Sequence, residues 1–539
     1  MPSSSPARPV VETTSGLVEG RTGPAWPGGP LVASFRGVPF GAPPVGPLRF
    51  RPPEPARPWA GVRPAVEPGP AAPQAAGDPL AALVPGASPA ATSEADCLNL
   101  DVWAPADVGP AAGRPVMVWI PGGAFRIGAA SLPTYEAGRL AAEQDVVVVS
   151  PNYRLGALGF LYMPSEGDGV AANCGLADLV LALRWVAANA AAFGGDAANV
   201  TVFGESAGAG AILHLLAMPD SAGLCRRVIL QSPGVAQALD RERAALVAER
   251  LLHRLELPPG GAGAVEGLRR VEVHRLVAAQ EAVVAEVAAS VGAMPFHPVA
   301  DGRVVTEPPL AAIGAGRAHP VDAVVGTCED EMQLFAVAGM DSLDHARLVA
   351  VLHPVVTGAL GGDPGPDAVD ELVTRYEAWV SERDGGPAEV WGAVMTDGLM
   401  RLPAEELLTA HAAGGGGETR AYSFAWKPGG RAAAMRSFHA VDLPFTFGTF
   451  DREGWRQFLG AGPDADALSA TMRRAWAAFA RDGRPGRVLP CGWDRWEPEG
   501  RSTLVLADPV RQVGDPLAGP RAAWGSMGRA PTAVSGRER

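Results

Sequence analysis

The 539-residue sequence predicts an α/β protein built on a large, mostly parallel central sheet with helices on both faces. Three observations carry this. Short continuous apolar runs rich in β-branched residues recur, the form taken by strands buried on both sides. A helix-period stretch separates two of them, and strands alternating with helices wind a parallel sheet. At one strand-to-helix junction, "TVFGESAGAG" (201 to 210) brackets a serine with glycines inside an otherwise apolar or small stretch.

The predicted strands are "PVMVWI" (115 to 120), "DVVVVS" (145 to 150), "VTVF" (200 to 203), "RVIL" (227 to 230), "DAVVG" (322 to 326) and "TRAYSFAW" (419 to 426). Between the second and third, Leu176, Leu179, Val180, Leu183 and Val186 keep helical spacing, and Gly194-Gly195 follows as a stop. Two helical blocks, about 239 to 256 and 264 to 287, follow the fourth strand without a strand signal between them. Residues 341 to 415 are again mainly helical, so we expect one domain over 10–520 with helical insertions at about 235–290 and 341–415. Residues 1–9 and 521–539 are polar, small and Pro-containing and are expected to be frayed ends. The Pro- and Ala-dense stretch from 36 to 96 reads as irregular chain packed on the core.

With 47% hydrophobic and 19% charged residues, the chain has the composition of one that buries a sizeable core. A net charge of −13 without any basic run argues against nucleic acid or an anionic membrane surface as partner. Five cysteines at unrelated spacings, with no C-x-x-C pair, point away from a zinc site and fit a reducing compartment. The first residues carry no apolar run after their positive charge, and no uninterrupted apolar stretch of about 18 residues occurs. A soluble, cytoplasmic protein is expected, and monomer and homodimer are both compatible with the sequence.

Ser206 has the G-x-S-x-G spacing of a nucleophile elbow, with Gly204 and Gly208 letting strand and helix backbones approach around a sharp turn. The pattern alone is weak; the strand before it and the helix after it make it strong. "VWIPGGAFRIG" opens a buried strand into Gly122, Gly123 and Ala124, small enough for a carbonyl oxygen to reach backbone N–H groups, and the Ala207 N–H would complete an oxyanion hole. A plain Gly-Gly turn is the competing reading. A serine nucleophile also needs a neutral imidazole oriented by a carboxylate. All nine histidines follow Ser206, so chain order excludes none. His214, on the nucleophile helix, should point away from the turn. His439, in "RSFHAVDLPFTFG", is the candidate that a loop could hold in a dry cleft, against an ordinary satisfied loop histidine. Glu329, Asp330 and Glu331 follow a buried strand, at the strand end where open α/β sheets bind ligands, and spacing does not choose among them.

Taken together, these residues resemble one family, the type B carboxylesterases, the α/β-hydrolase branch that includes the cholinesterases. The resemblance covers nearly the whole chain: "FRGVPFGAPPVGPLRF" (35 to 50), "EADCLNLDVWAP" (94 to 105), "VWIPGGAF" (118 to 125), "NYRLGALGFL" (152 to 161), "FGGDAANVTVFGESAGA" (193 to 209), "GTCEDEMQLF" (326 to 335) and "HAVDLPFTFG" (439 to 448). It implies the α/β-hydrolase fold, with the helical insertions walling an active-site gorge. It implies a triad of Ser206, Glu331 and His439, with Glu331 the acid as the second carboxylate of the "DE" pair, and oxyanion donors at Gly123, Ala124 and Ala207. The implied activity is hydrolysis of a small-molecule ester through an acyl-enzyme, with no metal or organic cofactor, and the "GGA" loop resembles relatives that accept bulky alcohol esters.

Three departures matter. Pro121 stands where the family often has His; it stiffens the loop entry and removes one donor. Cys328, Glu329 and Met332 replace the common residues of the acid loop, and Glu329 is expected to add negative charge that raises the pKa of Glu331 and His439. Cys97 matches a cysteine that pairs with an earlier one in secreted relatives; none precedes it in this sequence, so no disulfide is expected there. The alternative reading is a non-catalytic, cholinesterase-like binding protein. Such members usually lack a triad residue, whereas all three positions match here.

Overall fold

A computed structural model describes residues 8–527 except 78–80, 83, 110–111, 165–169, 235–237, 289, 293, 337–338, 384 and 453. Its main sheet has eleven strands. In chain order these are β1 (Arg21–Pro24), β2 (Leu31–Pro39), β3 (Asn99–Pro105), β4 (Arg114–Ile120), β5 (Val147–Pro151), β6 (Gly195–Glu205), β7 (Arg227–Gln231), β8 (Asp322–Cys328), β9 (Thr419–Phe424), β10 (Thr503–Leu506) and β11 (Arg511–Val513). The spatial order is β11-β10-β9-β8-β7-β6-β4-β5-β3-β2-β1. Neighbours from β5 to β10 run parallel, and antiparallel strands close both edges. All six predicted strands are present within a few residues of their expected limits. A separate three-stranded sheet near the N-terminus joins Val10–Thr13, Gly16–Glu19 and Val62–Pro64.

Alternation along the central strands explains the continuous apolar runs. On β4, Val116, Val118 and Ile120 enter one core and Met117 and Trp119 the other, so each face needs its own cover of helices. The first core is closed by α2 (Cys174–Asn189), through Leu176, Leu179 and Leu183, and by α3 (Ala207–Ala217). The second is closed by α1 (Gly138–Gln144), through Leu140 and Ala141, and by α11 (Pro463–Asp482), through Trp476 and Phe479. The stretch Cys174–Phe193 is long and apolar enough to cross a membrane by composition, but it lies against the sheet with its apolar stripe buried. All five cysteines are free thiols, Cys97 among them.

Both insertions form, with different anchorage. The first holds α4 (Arg241–Arg254), α5 (Gly261–Arg270) and α6 (Val273–Val287). Its second predicted block is thus two helices, divided after Arg270, and Val247, Leu251, Leu276 and Val283 share the first core of the sheet. The expected limits at 235 and near 290 fall beside residues 235–237 and 289, which lie outside the described residues. The second insertion holds α7 (His345–Leu360), α8 (Pro366–Ser381), α9 (Pro387–Thr396) and α10 (Leu402–Gly414). There α7 to α9 bury Leu352, Val356, Leu372, Val373 and Val394 around a core of their own.

The expected ends need correction. The chain beyond residue 521 is not frayed at first: α12 (Ala518–Gly525) continues through it, and Trp524 is fully buried in the insertion core, its indole N–H donating to the Tyr376 hydroxyl at 3.0 Å. One large apolar side chain supplies enough burial to order a polar-looking segment. At the other end Arg8 pairs with Glu19 at 3.0 Å, while residues 1–7 lie outside the described residues.

Candidate active site

The turn between β6 and α3 carries Ser206 in a strained conformation, φ 52° and ψ −122°, which costs about 1–3 kcal/mol and needs support from its surroundings. That support is local. Ser206 N–H donates to Gln231 O on β7 at 2.9 Å, and Ser206 O accepts from Gly210 N–H at 2.9 Å as α3 begins. A Cβ at Gly208 would stand 2.1 Å from the carbonyl oxygen of Ile120, and one at Gly204 would stand 2.8 Å from the Gly208 carbonyl carbon. The two glycines therefore let strand and helix pass as the sequence pattern requires. Ser206 itself is only partly buried. His214 is buried on α3 with Nδ1 2.8 Å from Gly210 O.

The loop after β4 lies against this turn: a Cβ on Gly122 would come within 3.4 Å of Ser206 Cβ. Gly123, Ala124 and Phe125 all have positive φ, at 110°, 53° and 56°. For the two non-glycine residues this costs about 1–2 kcal/mol each. Among the described residues no hydrogen bond takes up the Gly123 or Ala124 N–H, and Ala207 is the first residue of α3, where N–H groups have no intrahelical partner. Pro121 keeps a role through its carbonyl, which accepts from the Tyr153 hydroxyl at 2.9 Å.

Of the three adjacent acids, Glu331 is the one that meets His439. Its Oε2 lies 2.6 Å from His439 Nδ1, while Oε1 accepts from the Ser232 hydroxyl at 2.6 Å and from the Cys328 N–H at 2.7 Å. The His439 backbone N–H donates to the Glu331 carbonyl at 3.0 Å. Asp330 turns to the Ser437 N–H instead, at 3.2 Å. Glu329 faces Lys427 at 3.6 Å, and the largest charges that raise His439 are those of Glu205 and Glu331.

Part of the negative charge beside His439 comes from residues that the sequence reading did not single out. Glu205, directly before Ser206, places Oε1 3.0 Å from His439 Nε2, without the alignment of a hydrogen bond. Asp442, three residues after His439, accepts from Gln231 Nε2 at 2.8 Å and from the Tyr422 hydroxyl at 3.2 Å. Burial pushes the Glu205 carboxyl up to about 8 and the Asp442 carboxyl up to about 6. For His439 burial acts downward, but Glu205 and Glu331 outweigh it and raise the imidazole to about 9. These shifts are linked, because Glu205 holds His439 up only while ionised and burial drives Glu205 toward the neutral acid. Glu331 on Nδ1 and Glu205 on Nε2 thus face the imidazole from its two sides. Ser206 Oγ and His439 Nε2 are not hydrogen-bonded to each other in this structure; in unliganded sites such contacts are often long and tighten on substrate binding. Glu205 was visible in the "ES" pair and Asp442 in "HAVDLPF", but neither position announces itself without the fold.

Sheet order, turn and acid–imidazole pair define the α/β-hydrolase class. The Carboxylesterase family model matches residues 7–522, and the chain belongs to that family. The para-nitrobenzyl esterase of Bacillus subtilis (strain 168) is 34% identical over 94% of this chain and 96% of its own length. The fumonisin B1 esterase of Sphingopyxis macrogoltabida is 35% identical over 91% of this chain and 85% of its own. A solved PNB esterase structure superposes with a TM-score of 0.82 at 32% identity, covering 96% of this chain and 99% of that one. The protein is accordingly a carboxylic ester hydrolase, and the binding-protein alternative falls away.

Proposed function

We propose that this esterase cleaves small to medium carboxylic esters through an acyl-enzyme on Ser206, with Glu331 and His439 completing a triad and the N–H groups of Gly123, Ala124 and Ala207 forming the oxyanion hole. The observation that carries this reading is the position of His439. Its Nδ1 is fastened to buried Glu331 at 2.6 Å, which turns Nε2 toward the Glu205–Ser206 turn.

With Nδ1–H donated to Glu331, the neutral imidazole presents the lone pair of Nε2, which takes the Ser206 proton as Oγ attacks the ester carbonyl carbon. The oxygen that becomes negative is received by the three N–H groups; losing one such donor typically costs about 10²–10³ in rate. Collapse breaks the carbon–oxygen bond to the alcohol, which leaves with the proton from Nε2. Water then enters, gives its proton to the same nitrogen and attacks the acyl carbon, releasing the acid and restoring Ser206. Glu331 holds the tautomer and stabilises the imidazolium formed in each half-reaction.

The test is hydrolysis of p-nitrophenyl acetate, butyrate and decanoate, with p-nitrobenzyl acetate added because one relative bears that activity in its name. Wild type and Ser206→Ala are compared, with intact mass after an organophosphate probe. Activity falling with acyl length, lost on substitution, with one adduct on Ser206, supports the reading. Undiminished hydrolysis by Ser206→Ala would end it.

A further inference from the structure

Ala124 and Phe125 sit in left-handed backbone, a conformation that persists only where neighbours impose it. Both ends of this strained stretch are held by one segment, residues 153–160. At the front, the buried Tyr153 hydroxyl donates to Pro121 O at 2.9 Å. At the rear, Phe125 O accepts from the Gly156 N–H at 2.7 Å, and the Phe125 ring meets Phe160 edge-on at 5.0 Å.

That segment is itself anchored from two sides. Arg154 binds Asp178 on α2 through its backbone N–H at 2.9 Å and its guanidinium at 2.8 and 2.6 Å. From the other side α6 inserts Gln280, 3% exposed, whose Oε1 accepts from the Ala157 N–H at 2.7 Å. The fit leaves no spare room: a Cβ on Gly156, at φ 54°, would stand 2.0 Å from that oxygen. The next residue, Glu281, accepts from Gln280 Nε2 at 3.0 Å and pairs with Arg126, the residue after Phe125, at 3.3 Å. So α6, which belongs to the first insertion, reaches the loop after β4 by two routes.

We propose that Tyr153 and Gln280 are positioning residues for the oxyanion loop: through residues 153–157 they keep the N–H groups of Gly123 and Ala124 aimed at the reacting carbonyl oxygen. The inference rests on the oxyanion-hole reading above. The first insertion is then a buttress of the catalytic loop as well as cover for the sheet. A donor misplaced by about an ångström loses rate without losing substrate binding, because its contact strengthens only as the oxygen becomes charged.

The experiment compares wild type, Tyr153→Phe, Gln280→Leu, Gln280→Glu and Ser206→Ala on p-nitrophenyl butyrate. Active sites are counted by organophosphate titration, and affinity for a trifluoromethyl ketone, which forms a tetrahedral adduct on serine, is measured in parallel. Tyr153→Phe and Gln280→Leu are expected to lower kcat per titrated site by about 10-fold or more, with KM within about 2-fold and ketone affinity falling with kcat. Gln280→Glu keeps the acceptor for Ala157 N–H but sets a second carboxyl against Glu281, so it is expected to recover only part of the rate lost in Gln280→Leu. Unchanged kcat per titrated site, a rise confined to KM, or unaltered ketone affinity would each overturn the proposal. Should Gln280→Leu fail to fold, Tyr153→Phe, which removes one oxygen atom, carries the test. Activity retained by Ser206→Ala would instead refute the serine-esterase reading.

Discussion

His439 is tied to Glu331 twice: side chain to side chain at 2.6 Å, and backbone N–H to backbone carbonyl at 3.0 Å. The second tie fixes the ring's origin, so the first can hold one tautomer in one orientation. With Ser232 and Cys328 N–H on its other oxygen, the Glu331 carboxylate has both oxygens engaged and is oriented despite complete burial.

Replacing Glu331 by Gln keeps the shape but removes the charge that stabilises the imidazolium. We expect kcat for p-nitrophenyl butyrate to fall by about 10³–10⁴, with the melting temperature close to wild type. Ser232→Ala removes one of the donors on Oε1 and should cost less, about 10-fold in kcat, the Cys328 N–H remaining. A Glu331→Gln enzyme within 10-fold of wild type would show that the acid lies elsewhere.

The pH profile separates Glu205 from Glu329. A carboxylate beside His439 favours the imidazolium, so the base becomes available only at higher pH. The acid limb of kcat/KM in wild type is therefore expected above the ordinary histidine value, in the direction of the upward shift to about 9. Glu205→Gln removes the nearer charge and should move that limb to lower pH, while Glu329→Gln, whose partner is Lys427, should leave it in place. Coincident limbs in wild type and Glu205→Gln would contradict this assignment.

Gly208→Ala tests the elbow. The added carbon would stand 2.1 Å from the Ile120 carbonyl oxygen, backbone against backbone, so α3 or β4 must move. We expect a loss of about 1–3 kcal/mol or more in denaturant unfolding, together with loss of activity. Unaltered stability and rate would show that the two elements yield freely.

Trp524→Ala tests the corrected C-terminal limit. The indole is fully buried in the core of α7 to α9, so its removal should cost about 3–5 kcal/mol. Protease cleavage confined to residues 341–415 would be its sign, with the central sheet protected. A melting curve that matches wild type would return this segment to a frayed end.

By itself the sequence determined whatever is written in adjacent residues. Buried parallel strands appear as apolar runs because both faces are covered, and α2 appears as a 3.6-residue stripe because one face is. The elbow was legible because its glycines must flank the serine within one turn. Glu331 could be chosen among three acids only by resemblance, since register along a loop has no period to read. Tertiary structure alone decided the rest, because those contacts join residues far apart in the chain: Ser232 to Glu331 across 99 positions, and Ala157 to Gln280 across 123. It also decided the protonation chemistry, for a carboxyl such as Glu205 is an ordinary acid in the sequence and becomes a reluctant one only when the fold removes its water.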